Sequence, residues 1–478
     1  MISNKTIKFP AAAIFSLLLL MSVAVTYLIA THGIKMGVTV LLVSIGVVFV
    51  AAVLKDYRIG FYFIFFMGVF MFYVDRLFTV PFPMGTVYDA LVALVFFSLM
   101  VERRHHDWSS FKNPVTTMFF VLIVYQVLQL FNPSANSVLA WIVSLRNNIS
   151  FLIYIICFQM FSSLKGIKKF TMVWLGIALL TGLYGIYQRV FGLPDFEHAW
   201  LYASEDRVGL LVIWGQLRVF SFLSDPSVFG LFTAASALAA MVLAMGPFKL
   251  RYRALFAAIM VILLVAMSYS GTRTAIALVA VGVAFYVTIM MHNRKTFMAG
   301  VALVFMGLAL LFGPFYGGTM SRLRSTFKAS DDPSMAVRDF KRQQFQEYIQ
   351  THPIGGGLYT VGHNGDRYSK GHQLAGKWDP DSGYLLTALE TGWIGLLIFQ
   401  GLFCVVIITG INNFFSINDP LLRTYILVYI IPFMALSVAH FTQDAMFSKP
   451  TNVIIYATYA LVIKIATLEK KLFSVDLV

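Results

Sequence analysis

The chain has 478 residues, of which 59% are hydrophobic and only 12% charged. Soluble globular chains carry roughly 25% charged and 45–50% apolar residues, so the composition excludes that class and indicates an all-α polytopic membrane protein. In such a protein the net charge of +14 points to orientation and anionic headgroups, with no nucleic-acid partner expected.

A membrane span takes about 20 apolar residues. Fourteen candidates follow one another, at 10–30, 35–54, 60–75, 87–101, 114–131, 140–161, 170–190, 220–245, 254–270, 273–291, 297–314, 382–410, 421–440 and 450–468. The third and fourth are short and could be tilted partners or half-helices, so the expected number is 12–14. Lys5 and Lys8 ahead of the first apolar run imitate a signal peptide. That run is too long, and no small-residue cleavage site opens onto a polar domain, so a retained first span is expected. Cys157 and Cys404 lie far apart inside apolar runs and read as reduced packing residues.

Lys and Arg alternate between loops. Lys55 and Arg58; Arg103, Arg104 and Lys112; Lys165, Lys168 and Lys169; and Lys249, Arg251 and Arg253 mark one side, with both termini. Lys35, Arg76, Arg146 and Lys449 stand singly on the other. The positive-inside rule then places both termini in the cytoplasm and the polar stretch from Phe315 outside, at the periplasmic face of a bacterial inner membrane. The expected layout is eleven spans in residues 1–314, one large periplasmic loop at 315–381, and three spans with a cytoplasmic tail in 382–478.

Charges left on the outer side need another reason, because a cation at a membrane boundary is costly unless it snorkels or meets a partner. Arg273 sits in the tight turn SYSGTRTA between two apolar runs. It reads either as a snorkelling terminal residue or as an anion ligand at a helix start, where free N–H groups and the dipole add to it. Arg218 precedes FLSDPSVFG, in which Asp225 and Pro226 have the form of an N-cap and a first-turn proline. An ion pair with Asp225 is one reading of Arg218; with Arg273 it would make a clamp for pyrophosphate, to which guanidinium is suited. In the loop, Ser334 to Thr351 reads as a helix ended by His352-Pro353. Arg338, Lys341 and Arg342 share one face of it, toward solvent, headgroups or an anionic lipid-linked substrate. His363, Asn364, Asp366, His372, Asp379 and Asp381 follow, in a spacing that matches no standard metal-ligand pattern. No metal and no cofactor are expected. Asp379-Pro-Asp381 matches the Asp-x-Asp form of nucleotide-sugar transferases, a weak signal by itself.

Three segments together resemble a known family: Arg218 with FLSDPSVFG, then SYSGTRTA, then the stretch from Arg338 through THPIGGGLYTVG to DSGYLLTALETGWIGLL. They are similar to the O-antigen ligase and polymerase superfamily, in which an Arg and Pro-x-Gly-x-Gly precede His-Asn-x-x-Leu and Glu-x-Gly-x-x-Gly. Pro353, Gly355, Gly357, Tyr384, Leu385, Glu390, Gly392 and Gly395 stand at the matching places, within roughly residues 180–440. The resemblance implies a C-type glycosyltransferase-like membrane architecture. It implies transfer of glycan from an undecaprenyl-pyrophosphate carrier to a glycan, lipid or protein acceptor at the periplasmic face, without a metal. Arg218, Arg273 and Arg338 would meet pyrophosphate or the anionic carrier. The chain departs from the pattern at the family's histidine, where Asp381 stands; the base is therefore Asp381, or His363 or His372 brought in from the loop. A lipid-linked oligosaccharide flippase is the competing class, although such transporters show two similar halves and short loops.

Overall fold

The computed structural model of the chain describes residues 11–292 apart from 33, 79–82, 103–107, 109 and 214, together with 298, 343, 345–377 and 379–475. Nearly all of the expected span 297–314, and the first part of the expected helix 334–351 with Arg338, lie outside the described residues.

Among the described residues the fold is almost entirely helical. The first half runs α1 (Ala11–His32), α2 (Ile34–Lys55), α3 (Tyr57–Phe78), α4 (Met84–Val101), α5 (Pro114–Leu128), α6 (Val138–Asn148), α7 (Phe151–Met160) and α8 (Leu164–Phe191). Two short helices, α9 (Asp195–Tyr202) and α10 (Glu205–Leu211), and a hairpin of β1 (Val212–Ile213) and β2 (Gln216–Leu217) lead to α11 (Pro226–Met245), α12 (Leu250–Tyr269) and α13 (Arg273–Ile289). After the loop come α14 (Gly362–Tyr368), α15 (Gly383–Ser416), α16 (Pro420–Ala439) and α17 (Thr451–Val475). Ten helical stretches are long and apolar enough to cross a membrane, and Thr39–Lys55 and Arg273–Ile289 are shorter apolar helices. The sixth expected span is broken into α6 and α7.

Three of these helices form the centre. In α11, α16 and α17, 78–83% of the most apolar window is buried inside the protein, against 28–44% in the other seven. The reason in α11 is its small residues: the run TAASALAA lets α12, α13 and α16 approach its backbone closely. The outer helices keep large apolar side chains such as Phe66, Val124 and Leu397 exposed, as lipid-facing surfaces do.

The expected span 220–245 begins later than its hydropathy implies. Val219, Phe220, Phe222 and Leu223 are apolar and, like Ser221 among them, buried, yet the stretch forms a loop, and the helix starts at Pro226. Asp225 sets that start: its Oδ1 accepts from the N–H groups of Ser227 (2.8 Å) and Val228 (3.0 Å), and proline fills the first helical position. Arg218 therefore stands at the end of the β-hairpin rather than on the helix, its backbone N–H donating to the Leu211 carbonyl at 2.8 Å.

A buried polar network holds this loop. Arg76 at the end of α3 donates to the carbonyls of Ser221 (2.6 Å) and Leu223 (3.0 Å) and lies 3.5 Å from the Glu197 carboxylate. Glu197 accepts from Gln188 (2.7 Å) and Tyr184 (3.1 Å), and Gln188 in turn accepts from the Ser221 N–H (2.8 Å). Burial pushes the Glu197 carboxyl above its usual range, with Arg76 pulling it back. Removing one partner of a buried pair strands the other, at about 3–5 kcal/mol. Arg76→Ala is accordingly expected to destabilise the protein by that amount, visible as a lowered thermal midpoint in detergent. Glu197→Gln, which keeps an acceptor for Gln188 and Tyr184, is expected to cost clearly less. Equal costs would show that the charge of the pair, and not the two carbonyl contacts of Arg76, is what holds the loop.

The glycines of the second motif have a steric explanation. α15 is interrupted at Gly392, which has φ 71° and ψ 179°. The chain at 353–357 docks into that break: Gly356 and Gly357 donate to the carbonyls of Leu389 (2.8 Å) and Glu390 (2.9 Å), and Ile394 donates to Pro353 (3.3 Å). From the turn after α5, Gln129 and Asn132 donate to the Ile354 carbonyl, each at 3.1 Å. The Pro-x-Gly-x-Gly and Glu-x-Gly segments are thus two halves of one backbone contact.

Candidate active site

The starts of α11, α13 and α15 come together at one end of the bundle around a cavity of about 1180 Å³. Arg218, Arg273 and Asp381 all line it, although they come from three segments distant in sequence. Each helix start carries the partial positive charge of its dipole, met at α11 by the Asp225 carboxylate, so the site collects electropositive ends as well as two guanidinium groups. The opposite wall is apolar, with Leu278, Phe403, Ile407 and Met434.

Local bonds fix the arginine side of the site. Arg218 Nε donates to the Ser270 carbonyl at 3.1 Å, and Arg218 Nη2 donates to Thr272 Oγ1 at 3.3 Å. That hydroxyl donates to the Pro226 carbonyl at 3.1 Å, which ties the turn before α13 to the first residue of α11. Thr272 is the N-cap of α13 and its hydroxyl caps nothing in its own helix. Arg273 is the first helical residue, and Thr274 bonds Thr442 in the turn after α16 at 3.0 Å. Asp225 also lines the cavity, but Oδ1 caps α11 and Oδ2 accepts from Ser224 at 2.8 Å. Its charge is spent on structure, while Asp381 and Asp444 are the other carboxylates in the lining.

Asp444 belongs to the loop between α16 and α17. Its Oδ1 accepts from the Phe447 N–H at 3.2 Å and stands 3.6 Å from His440 Nδ1. That nitrogen accepts from the Ala445 N–H at 3.2 Å, so the proton of the neutral ring sits on Nε2. The His440 ring is fully buried and, accepting at Nδ1, is neutral where it meets Asp444.

The loop histidines do not line this cavity. His363 is exposed on α14, its backbone N–H donating to Asp379 Oδ1 at 3.0 Å. His372 is nearly buried and accepts from the Leu374 N–H at 3.1 Å through Nδ1; burial pushes its imidazole below the ordinary histidine range. Of the candidate residues in the sequence, the fold brings Arg218, Arg273 and Asp381 together and leaves His363 and His372 apart; Arg338 lies outside the described residues. No group of three or more His, Cys, Asp or Glu among the described residues is arranged to hold a metal ion. Asp444, Arg76 and Glu197 are the residues that sequence reasoning passed over. Asp444 had a signal, since it interrupts two long apolar runs in HFTQDAMFSK.

Residues 258–400 match the O-antigen ligase family model. The matched stretch contains Arg273, Asp381 and the docked glycine segments, and it ends before Asp444. It associates this polytopic membrane protein with the glycan ligases and polymerases of the O-antigen ligase and polymerase superfamily. The search of curated proteins finds no match.

Proposed function

We propose that this protein is a glycosyltransferase that moves a glycan from an undecaprenyl-pyrophosphate carrier to a hydroxyl of an acceptor at the periplasmic face of the inner membrane. The observation that carries the reading is the shared cavity of Arg218, Arg273 and Asp381 at three helix starts. In the proposed step an acceptor oxygen attacks the anomeric carbon and forms the new glycosidic bond. The bond from that carbon to the pyrophosphate oxygen breaks, and its electron pair leaves with the pyrophosphate. Arg218 and Arg273 hold the charge that develops there, and preorganised contacts of this kind often supply the largest catalytic term. The acceptor proton goes to a carboxylate, for which Asp381 is the candidate. Both guanidinium groups can accomplish this charge stabilisation without a metal. The apolar wall suits the polyprenyl part of the donor, and Arg338 would meet the anionic carrier.

The test is transfer by the purified protein in detergent, with lipid-linked glycan extracted from a strain that lacks the gene. Mass spectrometry is expected to find a new glycosidic bond and released undecaprenyl pyrophosphate. A protein that binds the lipid-linked glycan but changes only its sidedness in vesicles would be a flippase, and the reading would fall.

A further inference from the structure

A second cavity, of about 370 Å³, lies beside the first, between the first half of α15, the start of α4, the ends of α5 and α6 and the loop before α17. Asp444 lines both cavities and is the one described residue common to their walls. We propose that this smaller cavity holds the acceptor as a neutral, hydroxyl-rich saccharide ring, with Asp444 as the partition across which its reacting hydroxyl meets the donor. The proposal rests on the transferase reading and assigns the acceptor side of the same site.

The lining differs in kind from that of the arginine cavity. Its two cations share one carboxylate, with Arg146 3.2 Å and Lys449 3.9 Å from Asp89, and Asp444 sets a second carboxylate in the same lining. Lys449 also rests 4.0 Å over the Tyr88 ring. Two cations set against these two carboxylates have little left with which to recognise a strong anion, in contrast to the two arginines of the larger cavity. It leaves N–H donors and carboxylate acceptors side by side, the mixture that a sugar's hydroxyls require. Gln126 also lines this cavity. Its amide oxygen is buried and meets no donor among the described residues, an arrangement that costs about 1–3 kcal/mol unless water or a ligand completes it. Asn364, exposed on α14, brings a second amide to the rim. The volume falls at the lower end of the roughly 300–1,000 Å³ of small-molecule sites, so one end of a saccharide would enter rather than a long chain.

The probe is the oligosaccharide repeat released by mild acid from the strain's own lipid-linked glycan. Its binding to the full-length protein in nanodiscs is read by saturation-transfer NMR, and donor binding by the lipid-linked glycan itself. Asn364→Ala and Gln126→Leu are each expected to weaken saccharide binding about three- to tenfold, the loss of one hydrogen bond. The same variants should raise the half-saturating acceptor concentration in transfer equally and leave donor binding within twofold. Arg273→Ala is expected to leave saccharide binding within twofold and to lower the transfer rate. Wild-type affinity for the saccharide in both cavity variants, or a loss of donor binding instead, overturns the proposal even if transfer is intact. If the saccharide binds and the variants release it, but no new glycosidic bond forms under any condition, the saccharide site stands and the transferase reading falls.

Discussion

Arg273→Ala is expected to lower the rate of glycan transfer by about 10²–10³-fold, or about 2.7–4 kcal/mol, with thermal stability little changed. Arg273 is the first residue of α13 and lines the cavity, so its guanidinium adds to N–H groups that its removal leaves in place. In the proposed step the variant loses the charge and the forked donor that would meet the leaving group, and the effect should appear in single-turnover rate more than in donor binding. Arg273→Lys keeps the charge without the planar fork and should recover part of the loss. Arg218→Ala is a less clean probe, because Arg218 also bonds Ser270 and Thr272 and helps to hold the turn before α13. It should lower both rate and thermal midpoint, and the double variant should fall short of the product of the two single losses, since both residues act on one group. A rate within about threefold of wild type for Arg273→Ala, at equal expression, would place the pyrophosphate elsewhere.

How much of this was legible in the sequence depends on the range of the interaction. The Asp225–Pro226 helix start is a contact over three residues, and the composition around it announces it. The apolar spans are equally local, and the described helices follow them closely except where a loop is itself mostly apolar, as at Val219 to Leu223. Arg218 and Arg273 each stood out as a charge without a reason, but their meeting in one cavity depends on α11 and α13 packing side by side, which no spacing encodes. Arg76 looked like one of four solitary cations in short loops. Its partner Glu197 lies on another segment, and only the packed structure brings the two within 3.5 Å. His372 had the right chemistry for a base, yet its Nδ1 accepts from the Leu374 N–H and the ring sits under cover in the loop. The glycine motif was readable as a pattern, while its cause, one backbone seated in the break of another, was not.

That cause makes the last expected result a sharp one. Gly392→Ala should destabilise the protein by about 2–5 kcal/mol and release the 353–377 segment. Two costs combine. The backbone at φ 71° and ψ 179° lies in a region open essentially to glycine alone, where a side chain costs of order 1–3 kcal/mol. A Cβ there would also stand 2.0 Å from the Pro353 carbonyl oxygen and 2.6 Å from the Gly355 nitrogen, with overpacking typically worth about 1–3 kcal/mol. Both contacts are backbone, so no side chain can rotate away. The chain must either straighten α15, losing the bonds from Gly356 and Gly357, or push the docked segment off. Limited proteolysis should therefore cut within 353–377 much faster than in wild type, and transfer should fall as well, because this segment leads into Asp381 and α15. Gly176→Ala is the control: a Cβ on that residue of α8 meets nothing within 4 Å, and stability should hold or rise slightly. If Gly392→Ala is as stable and as resistant to protease as Gly176→Ala, then the docking of the two motif halves is not what the glycines serve.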